Sequence, residues 1–391
     1  MTDVVLVEGA RTAFAEFGGS FKDVSAIDLA AYAAKEALMR AGIEAEQVDE
    51  TIVGNVIQSS ADAVLLARHV GLKTGVRQDS TAITVNRLCG SGLQAIISAA
   101  ESIKLGINKV VLAGGTENMS QIPHVIRGAR WGLPLGQSPM SDYLWESLYD
   151  PIAKCSMAIT AENLAKKYGI TREEVDAFAL QSQTRALQAM SDGTFDKEIV
   201  PVEVKTRKGT VAVSKDEHPR EVSPEQLAKL PARFVENGVV TPGNASGIND
   251  GAAMVVVTSA DYAKAHGLKP IAKLISYANV GVDPTIMGIG PVPAIQKALA
   301  LADLTIADLD LIEINEAFAA QYLACQRELG FSDDIGNVNG GAVALGHPLG
   351  ASGARIALSL AYGLQKRKGR FGATALCIGG GQGIAAVWEA L

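Results

Sequence analysis

The chain has 391 residues, enough for two or three domains with an ample core. Hydrophobic residues make up 48% of it but aromatics only 5%, and 40 glycines suit α/β layers packed through small side chains and joined by tight turns. A net charge of -7 argues against nucleic acid or an anionic membrane surface as a partner, and no apolar run reaches the ~18 residues of a membrane span. The N-terminus enters a strand pattern at once, leaving no room for a signal peptide. The first part of the chain then reads strand at Val4–Val7, helix at Ala26–Ala41, strands at Glu50–Val56 and Ala82–Val85, helix at Leu93–Leu105 and strand at Val110–Ala113. Ser120–Met140, rich in Gly, Pro and Arg, reads as loop. Thr160–Met190 reads as helix, with a capping box over Thr171-Arg172-Glu173-Glu174. Ile199–Val213 reads as a hairpin turning at Lys208-Gly209, and Gly251–Thr258 as a strand that returns to the first part.

Shifted by 261 residues, the chain matches itself. Ala37-Leu38 falls on Ala298-Leu299, Asp49 on Asp310, Ser91-Gly92 on Ser352-Gly353 and Ser98 on Ser359 (310 minus 49 and 352 minus 91 are both 261). Beyond these the offset is read as slipping, so that Val111–Gly115 pairs with Leu376–Gly380. Two like α/β halves follow: residues 1–118 plus 248–267, and residues 268–391, with 119–247 as an inserted cap. Such halves bring equivalent loops to a shared crevice, where α/β folds place ligands.

Cys89 lies in Asn86-Arg87-Leu88-Cys89-Gly90-Ser91-Gly92, between an apolar strand and a helix. A sulfur at a helix N-terminus is expected to favour thiolate over thiol, as a nucleophile needs. The matching stretch of the second half carries Gly346-His347-Pro348, so His347 is placed to act as base, while His69, His124, His218 and His266 read as structural or solvated. Cys377 precedes a run of glycines that includes Gly379, where backbone N–H groups can meet a developing oxyanion. A second cysteine there suits proton transfer. Cys155 reads as a loop residue and Cys325 as helix core. The four cysteines are too irregularly spaced for a disulfide framework or a zinc site, and no metal is expected. A reducing cytoplasm is the expected location. Asn315-Glu316-Ala317-Phe318 follows a strand and is expected to face the crevice, with Asn315 able to orient a water, or else to be an ordinary helix cap. Lys205, Arg207 and Lys208 cluster in the hairpin, either to meet phosphates or as a solvated tip.

One rival reading is an NAD-dependent oxidoreductase, because Gly90-Ser91-Gly92-Leu93-Gln94-Ala95 fits the dinucleotide fingerprint after a strand. Glu117 follows Gly90 by 27 residues (117 minus 90), longer than the usual ~20, and a cofactor loop leaves His347 and Cys377 without a purpose. A non-catalytic scaffold would need none of these polar residues together.

The motifs around Cys89, Asn244-Ala245-Ser246-Gly247, Asn315–Phe318, Gly346–Pro348 and Cys377–Gly383 resemble those of thiolases, and the resemblance covers the whole chain. It implies an α/β fold of two duplicated halves stacked as five layers, with a loop domain covering coenzyme A. It also implies a homo-oligomer, dimer or tetramer of dimers, with Val125–Leu135 at the tetramerisation loop. The implied reaction is reversible thiolysis of a 3-ketoacyl-CoA, with Cys89 as acyl carrier, His347 as base and Cys377 as acid. One oxyanion site would use His347 and a water held by Asn315, the other the N–H groups of Cys89 and Gly379. Coenzyme A is then a substrate, and no further cofactor is needed. By the same resemblance Arg220 contacts the adenine end and Ser246 the pantetheine arm. Short-chain acetoacetyl-CoA thiolases typically carry His before the methionine at 157, where this chain has Ser156. That leaves Met157 and Met287, with Phe318, as adaptable apolar lining and points to the broad-range enzymes of β-oxidation, with the biosynthetic acetoacetyl-CoA branch as the alternative.

Overall fold

A computed structural model describes residues 2–136 and 139–391. The first half contributes strands β1 (Val4–Arg11), β2 (Glu50–Gly54), β3 (Thr81–Val85), β4 (Val110–Asn118) and β5 (Asn249–Ser259). The second contributes β6 (Ala272–Gly281), β7 (Leu311–Ile314), β8 (Phe371–Ile378) and β9 (Gln382–Ala390). The helices that pack on them are α1 (Ala26–Ala41), α2 (Leu66–Thr74), α3 (Ser91–Lys104), α4 (Met157–Tyr168), α5 (Arg172–Ser191), α6 (Pro291–Leu301), α7 (Ala319–Leu329) and α8 (Leu349–Arg367).

Side-chain alternation along the strands builds the layers. Val110 and Leu112 of β4 pack with α1 and α2, whereas Val111 and Ala113 pack with α3 and α8. In the second half Ala385 and Val387 of β9 face α6 and α7, and Ile384, Ala386 and Trp388 face α3 and α8. Five layers result: outer helices, sheet, the pair α3 and α8, sheet, outer helices. The two sheets are not merely stacked. Val4–Leu6 of β1 pairs with Ala272–Leu274 of β6, so one ladder, in the order β7-β8-β9-β6-β1-β5-β4-β2-β3, wraps around the central helices.

Register shows that the internal repeat keeps its offset. Asp49 accepts from the N–H groups of Lys109 and Val110 at 2.7 and 3.1 Å, and Asp310 accepts from those of Arg370 and Phe371 at 2.6 and 3.1 Å. Glu50 pairs with Val111 and Leu311 with Gly372, so every equivalence stays at 261 (371 minus 110, 372 minus 111). The apparent slip to Leu376–Gly380 came from matching small residues rather than strand positions. Thr116 is therefore the counterpart of Cys377 (377 minus 116).

Between β4 and β5 the helical stretch divides where the capping box indicated: Gly169 takes a left-handed φ of 59° that ends α4, and the Thr171–Glu174 box starts α5. The hairpin Val202–Thr206/Gly209–Val213 turns at Arg207-Lys208 and rests Val202 and Val204 on the outer core beside α1. No helix among the described residues is long and apolar enough to cross a membrane.

The central helices touch at glycines. A Cβ on Gly92 of α3 would lie 2.6 Å from the carbonyl oxygen of Gly350, and one on Gly353 of α8 would lie 2.4 Å from the backbone nitrogen of Leu93. A methyl group at either site must push backbone from backbone, which flexible side chains cannot absorb. Gly353→Ala should therefore destabilise the protein by about 1–3 kcal/mol and lower its thermal midpoint. An unchanged midpoint in a folded variant would show that the helices separate freely.

Candidate active site

Cys89 sits on a turn that its neighbours hold in an uncommon shape. Leu88 adopts a left-handed φ of 46°, Asn86 Oδ1 accepts from Leu88 N–H at 3.0 Å, and Asn86 Nδ2 donates to the Val56 carbonyl at 3.0 Å. Ser91 Oγ accepts from Arg87 N–H at 2.9 Å and donates to the Leu88 carbonyl at 2.6 Å. The half-buried thiol packs among Ile57, Met119, Leu148 and Leu349. Burial pushes it up to about 11, helped by the Glu117 carboxylate, while the N–H groups of Gly379 and of Cys89 itself pull it down. The expectation that the helix end favours thiolate is thus reversed in the resting site. Desolvation outweighs the helix N-terminus, and the proton stays on sulfur.

His347 comes from the second half, as its repeat position indicated. Gly346 holds a φ of 93°, and a Cβ there would lie 2.1 Å from Asn249 Oδ1, which accepts from His347 N–H at 3.2 Å. Ser352 Oγ donates to the Pro348 carbonyl at 3.0 Å and lies 2.6 Å from His347 Nδ1. Since the hydroxyl's single proton is used, Oγ accepts from Nδ1–H, which leaves the Nε2 lone pair facing Asn315 Nδ2 at 3.3 Å. Burial, with Arg355 behind it, lowers the imidazole to about 3. His347 is therefore a neutral base with Nε2 open. Ser352 was not singled out from the sequence as a functional residue, although its match to Ser91 across the repeat was the available signal.

Asn315 is fully buried, and its Oδ1 takes no protein partner among the described residues, which suits it to accept from a water. Its neighbour Glu316 does not face the crevice as the motif suggested. Its carboxylate accepts from Ser182 at 2.7 Å, Asn337 at 2.8 Å and Val343 N–H at 3.1 Å, holding the segment that leads to His347. Cys377, at the end of β8, is buried beside Met287 and Ala317, with Met157 and Phe318 against them. Burial first, and Cys89 second, push its thiol well above the ordinary range. Two protonated sulfurs and a neutral imidazole make a site able to move protons without separating charge at rest.

A cavity of about 480 Å³ reaches His347, with Cys89 clustered behind the lining residues Met119 and Leu349 and Cys377 behind Met157 and Phe318. Met119, Leu148, Met157, Phe318 and Leu349 give it apolar walls, with Ser156, Ser246 and His347 among them. Met287 stands one layer behind, against Cys377. The structure does not bring Lys205, Arg207, Lys208 or Arg220 to the walls. The first three sit on the hairpin against the first half's outer face, and Arg220 borders a separate surface hollow beside Gln183. Arg233, with Phe234 and Trp145, does line the cavity and is exposed at its rim. It is the only cation among the described lining residues, and nothing in Pro231-Ala232-Arg233-Phe234 marks it in the sequence. No group of three or more His, Cys, Asp or Glu among the described residues is arranged to hold a metal ion.

The glycines of the dinucleotide-like fingerprint are consumed by packing, Gly92 against Gly350 and Gly90 against Ile378, so the oxidoreductase reading falls. Residues 4–261 match the thiolase N-terminal domain and residues 268–390 the thiolase C-terminal domain. The chain belongs to the thiolase family. It is 50% identical to the mitochondrial 3-ketoacyl-CoA thiolase of Bos taurus over 388 residues, 99% of this chain and 98% of that one. It is equally 50% identical to an acetyl-CoA acetyltransferase of Syntrophomonas wolfei over 395 residues, 100% of this chain and 99% of that one. The human mitochondrial 3-ketoacyl-CoA thiolase superposes with a TM-score of 0.98 at 50% identity, covering 100% of this chain and 99% of that one. The same human enzyme in complex with CoA superposes at 0.97 and 49% identity, covering 100% and 98%.

The thiolase site carries a cost in acid. His347 falls from 6.5 to about 3 on folding, so below its ordinary value the unfolded chain takes up a proton that the native site refuses. Stability present above that value is lost as pH falls toward 3. His347→Gln should therefore lose less of its thermal midpoint than the wild type between about pH 7.5 and about pH 5. Equal losses would show that the imidazole is not held neutral.

Proposed function

We propose that the protein catalyses reversible thiolytic cleavage of 3-ketoacyl-CoA through an acyl-enzyme on Cys89. The observation that supports this most directly is the set of Cys89, neutral His347 and Cys377 beside one apolar cavity. In the forward direction Nε2 of His347 takes the thiol proton as Cys89 Sγ attacks the 3-keto carbon. The C2–C3 bond then breaks, its electron pair leaves with the acetyl-CoA carbanion, and the Cys377 S–H protonates C2. A second coenzyme A thiol gives its proton to the Cys377 thiolate, directly or relayed through His347, and attacks the Cys89 thioester. Acyl-CoA departs, and the Cys89 thiolate takes back the proton that His347 holds. The N–H groups of Cys89 and Gly379 serve one oxyanion, and His347 with a water on Asn315 serves the other. Coenzyme A acts as substrate, with no metal or organic cofactor.

Relatives of both branches are equally identical to this chain, so the branch is argued from the cavity. Ser156 and Met157 line it where a bulkier ring would narrow it, and each further buried methylene can add about 0.8 kcal/mol to acyl binding. We assign the protein to the β-oxidation branch. Its kcat/KM should be higher for six- to ten-carbon 3-ketoacyl-CoA than for acetoacetyl-CoA, measured as thiolysis across chain lengths. A strict preference for acetoacetyl-CoA would move it to the biosynthetic branch.

The same proposal includes a homo-oligomer, a cytoplasmic location and the division into 1–118 plus 248–267, 119–247 and 268–391. Support for the oligomer comes from β3, an edge strand that leaves Ile83 48% exposed, and from Trp131 and Leu135, 89% and 107% exposed in the loop segment. The names of the mammalian relatives include "mitochondrial", so cell fractionation is the test of location. Arg233 is placed to meet the phosphates of coenzyme A at the cavity rim. Arg233→Ala should raise the KM for coenzyme A about threefold to tenfold with little change in kcat, and less so at high salt. An unchanged KM at low salt would remove Arg233 from the binding site.

A further inference from the structure

Glu117, at the end of β4, is fully buried and takes no part in the chemistry described above. Its carboxylate nevertheless accepts four hydrogen bonds. Oε1 takes them from Asn55 Nδ2 and Ile57 N–H, both at 3.0 Å. Oε2 takes them from Val56 N–H at 3.1 Å and Gly350 N–H at 2.9 Å. Three of these donors belong to the 55–57 loop of the first half. The fourth is in the first turn of α8, in the second half, three residues beyond His347.

Each side of this clamp leads to a reacting group. The Val56 carbonyl accepts from Asn86 Nδ2, and Asn86 shapes the Leu88–Cys89 turn. Ile57 itself packs in the cluster that holds Cys89. On the other side, Gly350 lies so close that a Cβ there would meet the carbonyl oxygens of Thr116 and Gly54 at 2.4 and 2.7 Å. Only glycine lets the start of α8 reach the carboxylate. We propose that Glu117 is a positioning residue that ties the Cys89 turn to the helix start beside His347 and so sets the spacing of nucleophile and base.

The charge matters as well as the contacts. All four hydrogen-bond partners of the two oxygens are donors, so an amide in place of the acid would set N–H against N–H. The Gly350 N–H stands in the first turn of a helix, where a negative charge is favoured. The carboxylate also lies near enough to Cys89 to oppose ionisation of its thiol. A position that merely filled space would need none of this. Its counterpart in the second half, Ile378 (378 minus 117 is 261), is apolar and packs in the central core.

The proposal rests on the acyl-transfer reading above, and wild-type thiolysis is measured first, because its absence would sink that reading rather than this one. With turnover present, Glu117→Gln should bind coenzyme A with unchanged affinity by calorimetry while kcat falls about 10²-fold, the scale expected for a misplaced reacting group. Burial pushes the Glu117 carboxyl up to about 7, so the labelling is read at about pH 8.5, where the acid is ionised; there iodoacetamide should label Cys89 in the same variant roughly threefold faster, since the opposing charge is gone. Glu117→Asp keeps the charge but shortens the reach, and should lower kcat without speeding the labelling. A folded Glu117→Gln variant with wild-type kcat overturns the proposal, as does a fall in kcat matched by lost coenzyme A affinity. If neither variant folds, Asn55→Ala removes one donor and keeps the charge. A kcat lower by roughly tenfold at unchanged affinity supports the clamp, and wild-type kcat overturns it.

Discussion

The close contact between the starts of α3 and α8 is the constraint on which the site depends. Each half-unit delivers one reactive loop to the N-terminus of its central helix, and neither loop is useful until the two helices meet with glycines between them. Gly92 and Gly353 occupy equivalent places in the repeat (353 minus 92 is 261) and each presses on the other helix's backbone. Gly54, Gly115 and Gly350 extend the same contact to the strand ends. A methyl group at any of these positions would move a loop as a rigid body. Packing at native density transmits such a shift instead of absorbing it, so the glycines fix the distance between the two loops.

The second constraint is dryness. Burial raises Cys89 to about 11 and lowers His347 to about 3, so the resting pair is uncharged. A thiolate–imidazolium pair would need solvation that the apolar walls do not offer. In the proposed reaction charge appears only as a substrate carbonyl arrives, where the N–H groups of Cys89 and Gly379 would receive it. Preorganised donors against apolar walls act most strongly on charge that develops in the transition state. Arg355 adds to this by opposing a proton on His347.

Much of this was legible in the sequence, for identifiable reasons. Cys89, His347, Asn315 and Cys377 stand at strand ends or in turns before helices, where composition changes abruptly, and the repeat marked His347 as partner to the cysteine's half. The five layers were implied by the thiolase resemblance, and the alternation of Val110 to Ala113 and of Ile384 to Trp388 gives them their physical basis. What failed to show depends on three-dimensional proximity. The thiol's upward shift comes from desolvation by residues as distant in sequence as Leu349. Glu316 points away from the crevice because Ser182 and Asn337 draw its carboxylate inward. The basic hairpin stands apart because Val202 and Val204 commit it to the outer core, while Arg233 reaches the rim from a segment without any periodic pattern.

The duplication also explains why two similar loops perform different tasks. Cys89 and Gly350 are counterparts (350 minus 89 is 261), and both place a backbone N–H at the start of a central helix. In the second half that N–H is taken permanently by the Glu117 carboxylate at 2.9 Å. In the first half the N–H of Cys89 favours its own thiolate, and in the proposed reaction it would serve the oxyanion. The equivalent N–H is thus held by a carboxyl in one copy, while in the proposed reaction its counterpart is left for a transient oxyanion in the other. The same division applies to the serines. Ser91 closes the nucleophile turn on the Leu88 carbonyl, whereas Ser352, its counterpart, spends its acceptor on His347 Nδ1. The equivalent serines thus support a turn in one half and fix a tautomer in the other, an asymmetry that matches the proposed roles of nucleophile and base.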